Sequence, residues 1–246
     1  MTLPPPSHPR YESLMTRARI EEGVKAGLVA TQGLIAHGRG EAFDYLLGEA
    51  TIPPAAEASR AAAALLLLAR NPVLSVNGNT AVLVPDELAA LQKALACKVE
   101  VNLFHRTEER VRKLVAHLEA HGCTNVLGVG AQPTIPGLDH DRGRSTLEGI
   151  YSADVVLVPL EDGDRCQALR DMGKTVIVVD LNPLSRTAKS ASVSITDNVR
   201  RAVPAITRAL QGMEKDEAKR IAAAFDGARN LRDTLDFIAA RLKALA

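Results

Sequence analysis

Two runs, Val155-Val156-Leu157-Val158 and Val176-Ile177-Val178-Val179, are apolar at every position and β-branched at nearly all of them. A strand with one wet face alternates apolar and polar residues, so a strand that is apolar on both faces has to be covered on both. The runs are also too short to be helices of ordinary length. Buried strands flanked by helices belong to a parallel sheet, whose neighbouring strands need long crossover connections. The surrounding chain supplies both. Strands are expected at 73–76, 99–104, 125–129, 154–160, 175–180 and 193–195. Helical stretches at 85–96, 107–121, 163–172 and 198–210 fall between or after them. The pattern predicts an α/β, Rossmann-like, doubly wound and mostly parallel sheet.

The two ends of the chain read as helical. Residues 11–47 carry apolar positions at spacings of three and four, with Thr16 as N-cap. Gly27, Gly33, Gly38 and Gly40 are expected to divide that stretch into two or three helices joined by tight turns. An Ala/Leu-rich helix at 55–70 stops before Asn71-Pro72. Residues 214–246 read as one helix of roughly 50 Å, with a stripe from Ile221 through Leu231 and Ile238 to Leu245. That helix suits packing across its own domain or a homodimer seam. The expected division is an N-terminal arm and helical region at 1–70, an α/β core at 71–212 and the C-terminal helix at 213–246.

Composition narrows the partners. With 30 Lys+Arg against 29 Asp+Glu, 3% aromatic residues and no Trp, there is neither a basic footprint nor a set of stacking platforms for nucleic acid. Cys97, Cys123 and Cys166 are far apart and form no CxxC, which suits reduced thiols in a cytoplasmic protein. The apolar run at 61–69 is about half of a membrane span. Small molecules or protein remain as partners.

In a doubly wound sheet, ligands bind beyond the carboxyl ends of the strands. Four polar clusters fall there or in the glycine-broken helical region. In His37-Gly38-Arg39-Gly40-Glu41, the glycines would let backbone approach an anion that Arg39 clamps; a plain loop with a solvated Arg39 is the alternative. Asn77-Gly78-Asn79 is a turn signal that could also offer amides to a ligand. Glu161-Asp162-Gly163-Asp164 could hold a hydrated Mg²⁺ or an amine, or could be acids gathered at a helix N-terminus. Asp180-Leu181-Asn182-Pro183-Leu184-Ser185-Arg186-Thr187 is the strongest: an acid for ribose or base hydrogen bonds, then Arg186 and Thr187 as a phosphate pair. Asn198 precedes a helix and suits an N-cap or an anion.

Gly128-Val129-Gly130 starts like a dinucleotide fingerprint, but Pro133 takes the third glycine position, which disfavours a nicotinamide dehydrogenase. No GxxxxGK[ST] or GxSxG occurs.

Longer words carry more. His8-Pro9-Arg10-Tyr11-Glu12-Ser13-Leu14, Gly33 through Glu49, Ser75 through Thr80, Glu100 through Phe104 with Arg106 to Arg110, Asp154 through Arg165 and Asp180 through Thr187 occur in order. Together they resemble archaeal phosphopantothenate synthetases over about residues 8–210. The resemblance implies a homodimeric 4-phosphopantoate–β-alanine ligase of coenzyme A biosynthesis, driven by ATP with Mg²⁺ and releasing AMP and diphosphate. It places ATP on Arg17, Arg39, Asp180, Leu181, Asn182, Arg186, Thr187, Asn198 and Val199. Candidate catalytic groups are His37 and Arg39. Candidate substrate contacts are His37, Gly38, Gly40, Asn77, Gly78, Asn79, Glu161 and Asp162. A nucleotide-dependent oxidoreductase or transferase and a non-catalytic nucleotide-sensing dimer are the competing readings.

Overall fold

In the computed structural model, residues 5–160 and 162–245 are described. Glu161, one of the substrate candidates, lies outside them, as do the first residues of the proline-rich arm. The buried apolar runs form the expected strands: β1 (Pro72–Val76), β2 (Lys98–Val101), β3 (Val155–Pro159), β4 (Thr175–Val179) and β5 (Val193–Ile195). All pairs are parallel, in the order β2-β1-β3-β4-β5. From β1 the chain first adds β2 on one side, then returns to build β3, β4 and β5 on the other. The switch point therefore lies between β1 and β3, where the loops diverge and leave a crevice.

Alternation along the strands splits the core in two. Leu74, Val76, Val99, Val101, Leu157, Ile177 and Val179 share the larger cluster with side chains of α3 (Pro53–Leu68), α5 (Pro85–Leu95), α6 (Glu108–Ala120) and α9 (Val199–Leu210). Val73, Val156, Val158, Val176 and Val178 face a smaller cluster, closed by α7 (Gly163–Asp171) and by Ile135, Leu138 and Ile150 of the connector before β3.

That connector is pinned by polar groups. Glu100 on β2 is fully buried and accepts hydrogen bonds from the Thr146 N–H, the Thr146 hydroxyl and the Ile150 N–H at 2.7–2.8 Å. Burial pushes the Glu100 carboxyl up; these donors and the charge of Arg165 oppose the shift. A Cβ on Gly149 would stand 2.0 Å from the Glu100 carboxylate, so only glycine lets the turn wrap it.

Several expectations are corrected. Thr16 does not cap a helix; it sits inside α1 (Tyr11–Lys25) and its hydroxyl donates to the Glu12 carbonyl. The strand expected at 125–129 is one bridge, Leu127 to Glu100, because Asn125 (φ 49°) and Gly128 (φ 131°) turn the chain away from the edge. The strand expected at 99–104 ends at Val101. A short helix not foreseen, α4 (Gly78–Leu83), follows β1, capped by the Asn77 side chain on the Thr80 N–H. The C-terminal stretch is two helices, α10 (Lys215–Ala224) and α11 (Gly227–Leu245), not one. Phe225 is extended between them, and a Cβ on Gly227 would meet the Ser192 carbonyl oxygen at 2.8 Å, so the second helix docks where only glycine fits. At 19 residues, α11 spans roughly 28 Å and packs across α3 and α2 (Gln32–Leu47).

The most consequential correction is α2 itself. Gly38, Arg39 and Gly40 lie within it, not in a loop. Glycines inside a helix cost about 1 kcal/mol each relative to alanine, so tertiary contacts hold this one. Its inner face steps through Gly33, Ala36, His37, Gly40, Asp44 and Leu47. Asn79 donates to the Gly33 carbonyl at 2.9 Å, Arg17 donates to Glu41 through two bonds of 2.8 and 3.0 Å, and Arg201 bridges Asp44 and Asp197.

Candidate active site

The contacts of α2 fix its course. A Cβ on Gly33 would fall 2.3 Å from Asn79 Oδ1 after β1, one on Gly40 would touch Leu181 after β4, and Asp44 accepts from Asn198 Nδ2 after β5 at 3.1 Å. The helix thus runs like a lintel across the carboxyl ends of the strands, and it brings most of the candidate residues to one edge.

At the switch point, a cavity of about 370 Å³ opens beneath α2. Asn77, Gly78 and Asn79 form one wall and Leu160 another; Leu103, Phe104 and His105, which follow β2, form a third, and Arg110 and Arg142 supply positive charge. The Asn77 amide is committed to structure, since it donates to the Pro159 and Leu160 carbonyls while its oxygen caps α4. What it does is tie the β1 loop to the β3 loop. Gly78 is required by crowding: a Cβ there would stand 2.5 Å from the Leu28 carbonyl oxygen and 2.9 Å from an Arg110 nitrogen.

Along the edge, the loop after β4 presents Asp180. Its carboxylate accepts from the Ser185 hydroxyl at 2.6 Å and from the Asn182 N–H at 2.9 Å. Burial pushes this carboxyl above its ordinary range despite those bonds and the nearby charge of Arg39. Arg39 is exposed on α2. Arg186 starts α8 (Arg186–Ser190) and pairs with Asp164 at 2.9 Å, while Thr187 and Leu181 are buried. The β3 and β4 loops touch here, since a Cβ on Gly163 would fall 2.8 Å from Arg186 Cβ. Asp162 caps α7 by accepting the Asp164 N–H, which realises the helix-terminus alternative for that residue. Asn198 caps α9 on the Arg200 N–H, and Val199 behind it is buried.

Between α1, α2 and the start of α9 lies a polar cavity of about 290 Å³, lined by His37, Glu41, Asp44, Glu49, Asn198 and Arg200 among others. Burial holds the His37 imidazole below its ordinary value, so it is neutral near pH 7. Burial alone would raise Glu41, but hydrogen bonds from Arg17 and Ser13 outweigh it and hold that carboxyl down. Gly38 faces open space on the outer side of α2, where no heavy atom lies within 4 Å of where a Cβ would stand, and it lines a cavity of about 590 Å³ with Arg17, His37 and Glu41.

Sequence reasoning did not single out Phe104, His105, Arg110 and Arg142. The signal was available: Phe104 and His105 follow the strand next to the switch point. The Gly128–Gly130 segment, by contrast, turns beside β2 with the Gly130 N–H donating to Glu108, away from the crevice. All three cysteines are buried, and burial pushes the Cys97 and Cys123 thiols up to about 12 and about 11. Among the described residues, no group of three or more His, Cys, Asp or Glu could hold a metal ion, and no helix is long and apolar enough to cross a membrane.

Comparison with known proteins gives one family. Residues 54–241 match the phosphopantothenate/pantothenate synthetase family. A 4-phosphopantoate–β-alanine ligase of Thermococcus kodakarensis is 52% identical over 98% of this chain and 94% of its own length. Its counterpart in Methanospirillum hungatei is 54% identical over 97% of both chains, and that of Methanosarcina mazei 50% identical over 100% and 98%.

Proposed function

The chain belongs to the phosphopantothenate/pantothenate synthetase family, and on that premise we propose that it is a 4-phosphopantoate–β-alanine ligase of coenzyme A biosynthesis. The observation that carries this reading is near-full-length identity of about half to three relatives of that name. The carboxyl edge supports it, because it offers room and charge for two polyanions side by side.

ATP takes the β4–β5 side. Asp180 accepts ribose hydroxyls, and Arg17, Arg39, Arg186 and the backbone N–H after Asn198 face the phosphates. Mg²⁺, when bound with ATP, would offset the phosphate charge; no group of three or more His, Cys, Asp or Glu among the described residues would hold it, so the ATP phosphates would be its main ligands. The acid takes the switch-point cavity. Its carboxylate oxygen attacks the α-phosphorus, the bond to the bridging oxygen breaks, and diphosphate leaves. The β-alanine nitrogen, having lost its ammonium proton to solvent, then attacks the acyl carbon, AMP leaves, and the nitrogen sheds its second proton. His37, neutral at pH 7, accepts that proton, and Arg39 offsets the charge that develops in transfer. Holding the reactants in line supplies the rest of the acceleration.

The working unit is a cytoplasmic homodimer. Leu34, Ile35 and Tyr45 on the outer face of α2 and Leu242 and Leu245 on α11 are exposed apolar side chains available to a second copy. Light scattering that gives the mass of a single chain would remove the dimer.

The deciding assay supplies ATP, Mg²⁺, 4-phosphopantoate and β-alanine and omits each in turn. AMP and diphosphate formed only in the complete mixture support the reading. ADP would replace the adenylate by an acyl phosphate, and no turnover by folded protein would favour a nucleotide sensor.

A further inference from the structure

Arg110 stands out among the charged side chains at the switch point. It rises from the first turn of α6, and two carbonyl groups fix its guanidinium: Nε donates to Leu28 at 3.1 Å and one terminal nitrogen donates to His105 at 2.7 Å. The other terminal nitrogen faces Gly78, where glycine alone leaves room. Among the described residues, no carboxylate pairs with Arg110. The nearest acids in sequence are already engaged, Glu108 with Arg106 and the Gly130 N–H, Glu109 with Lys113. Burial alone lowers the basicity of Arg110, with no acid opposing the shift. A half-buried cation held by two neutral acceptors carries an unmet demand for an anion. Its remaining N–H groups border the 370 Å³ cavity.

We infer that Arg110 is the anchor for the phosphate of the acid substrate; this rests on the ligase reading above. The orientation follows from the two ends of that substrate. Its carboxylate must reach ATP, whose residues lie on the β4–β5 side of α2. Its phosphate, at the other end of a short branched chain, then points toward β1 and β2, where Arg110 waits. The apolar side chains between, Ala36, Leu103 and Leu160, suit the quaternary carbon with its two methyl groups. A planar guanidinium with a fixed orientation matches a phosphate through two parallel bonds, which an ammonium in its place would not reproduce.

The test compares 4-phosphopantoate with pantoate, which lacks the phosphate, in the wild-type chain, R110K and R110Q. In R110Q the preference for the phosphorylated acid should shrink by on the order of 10–100-fold, chiefly through KM, with the KM for ATP nearly unchanged. R110K should fall between the two. An unchanged preference overturns the inference and leaves the ligase intact; a wild-type chain that makes no phosphopantothenate overturns both. Since Arg110 also ties two loops together, a measurement on the wild-type chain stands beside the variants. Phenylglyoxal labelling of Arg110, read by mass spectrometry, should be blocked by 4-phosphopantoate and not by pantoate at the same concentration. Equal protection by both, or by neither, removes Arg110 from the phosphate.

Discussion

The two ends of the sheet carry cavities of different character. The larger, about 880 Å³, lies at the amino end of β2 and is lined by Gln92, Lys93, Cys97, Lys98, Thr124 and Asn125 among others. The switch-point cavity at the carboxyl end is less than half that size, about 370 Å³. In the larger one Gln92 and Lys98 are spoken for. The Gln92 amide donates to the Cys97 and Thr124 carbonyls and accepts the Thr124 N–H, and the Lys98 ammonium donates to the Glu148 carbonyl. In the smaller one, no acid among the described residues pairs with the Arg110 guanidinium. Volume therefore favours one end of the sheet, and unmet polar demand the other.

Four experiments press on that contrast. The largest effect is expected at Arg39, exposed on α2 beside Asp180. Arg39→Ala should lower kcat/KM by about 100–1000-fold with an unchanged melting temperature; retained turnover would detach α2 from the chemistry. At the other end, Gln92→Ala should cost about 2 kcal/mol of stability in a denaturant titration, since it strands buried backbone groups, while kcat and KM stay at wild-type values. A large loss of activity in folded Q92A would mean that the ends are coupled. Asp180→Asn should raise the KM for ATP by about 10-fold, but urea should unfold it no earlier than the wild type. The carboxyl is disfavoured in its charged form by burial; the amide oxygen still accepts the Asn182 N–H, and the amide NH2 takes the place of the other oxygen by donating to the Ser185 hydroxyl.

The smallest effect concerns pH. Burial holds His117, which contacts the Ala81 carbonyl, below the ordinary histidine value of about 6.5. The unfolded chain therefore takes up this proton at a higher pH than the folded chain does. Stability from this group is complete above that value and declines as the pH falls through the folded one. His117→Gln should flatten the fall of melting temperature below about pH 6.5; an unaltered slope would assign the proton uptake elsewhere.

Much of the fold could be read from the chain because its signals are local. Val155–Pro159 and Thr175–Val179 announce themselves by composition, and the Asp180 loop by its place after a buried strand. The failures have a common cause. The glycines of α2 argue for turns when only local preference counts, yet Asn79, Arg17, Arg201 and Leu181 hold that stretch helical from outside it. The split between α10 and α11 was hidden too, because the apolar stripe continues in register across Phe225 and Asp226. Asn77 was legible as a turn or a ligand contact and Asn198 as a cap or an anion contact, and only their partners showed which duty their side chains perform.

Arg110 shows where sequence stops. By itself the sequence determined the alternation of elements, the parallel sheet, the family and the loops that follow the strands, all properties of short segments or of whole words. It could not say which charges would find partners, because a salt bridge or its lack depends on side chains far apart in the chain. Arg110 meets Leu28 from 82 positions away, and Arg201 meets Asp44 from 157. Only the tertiary structure, by laying α2 across the strand ends, decided that one cation would be neutralised by its own protein and the other left facing a cavity.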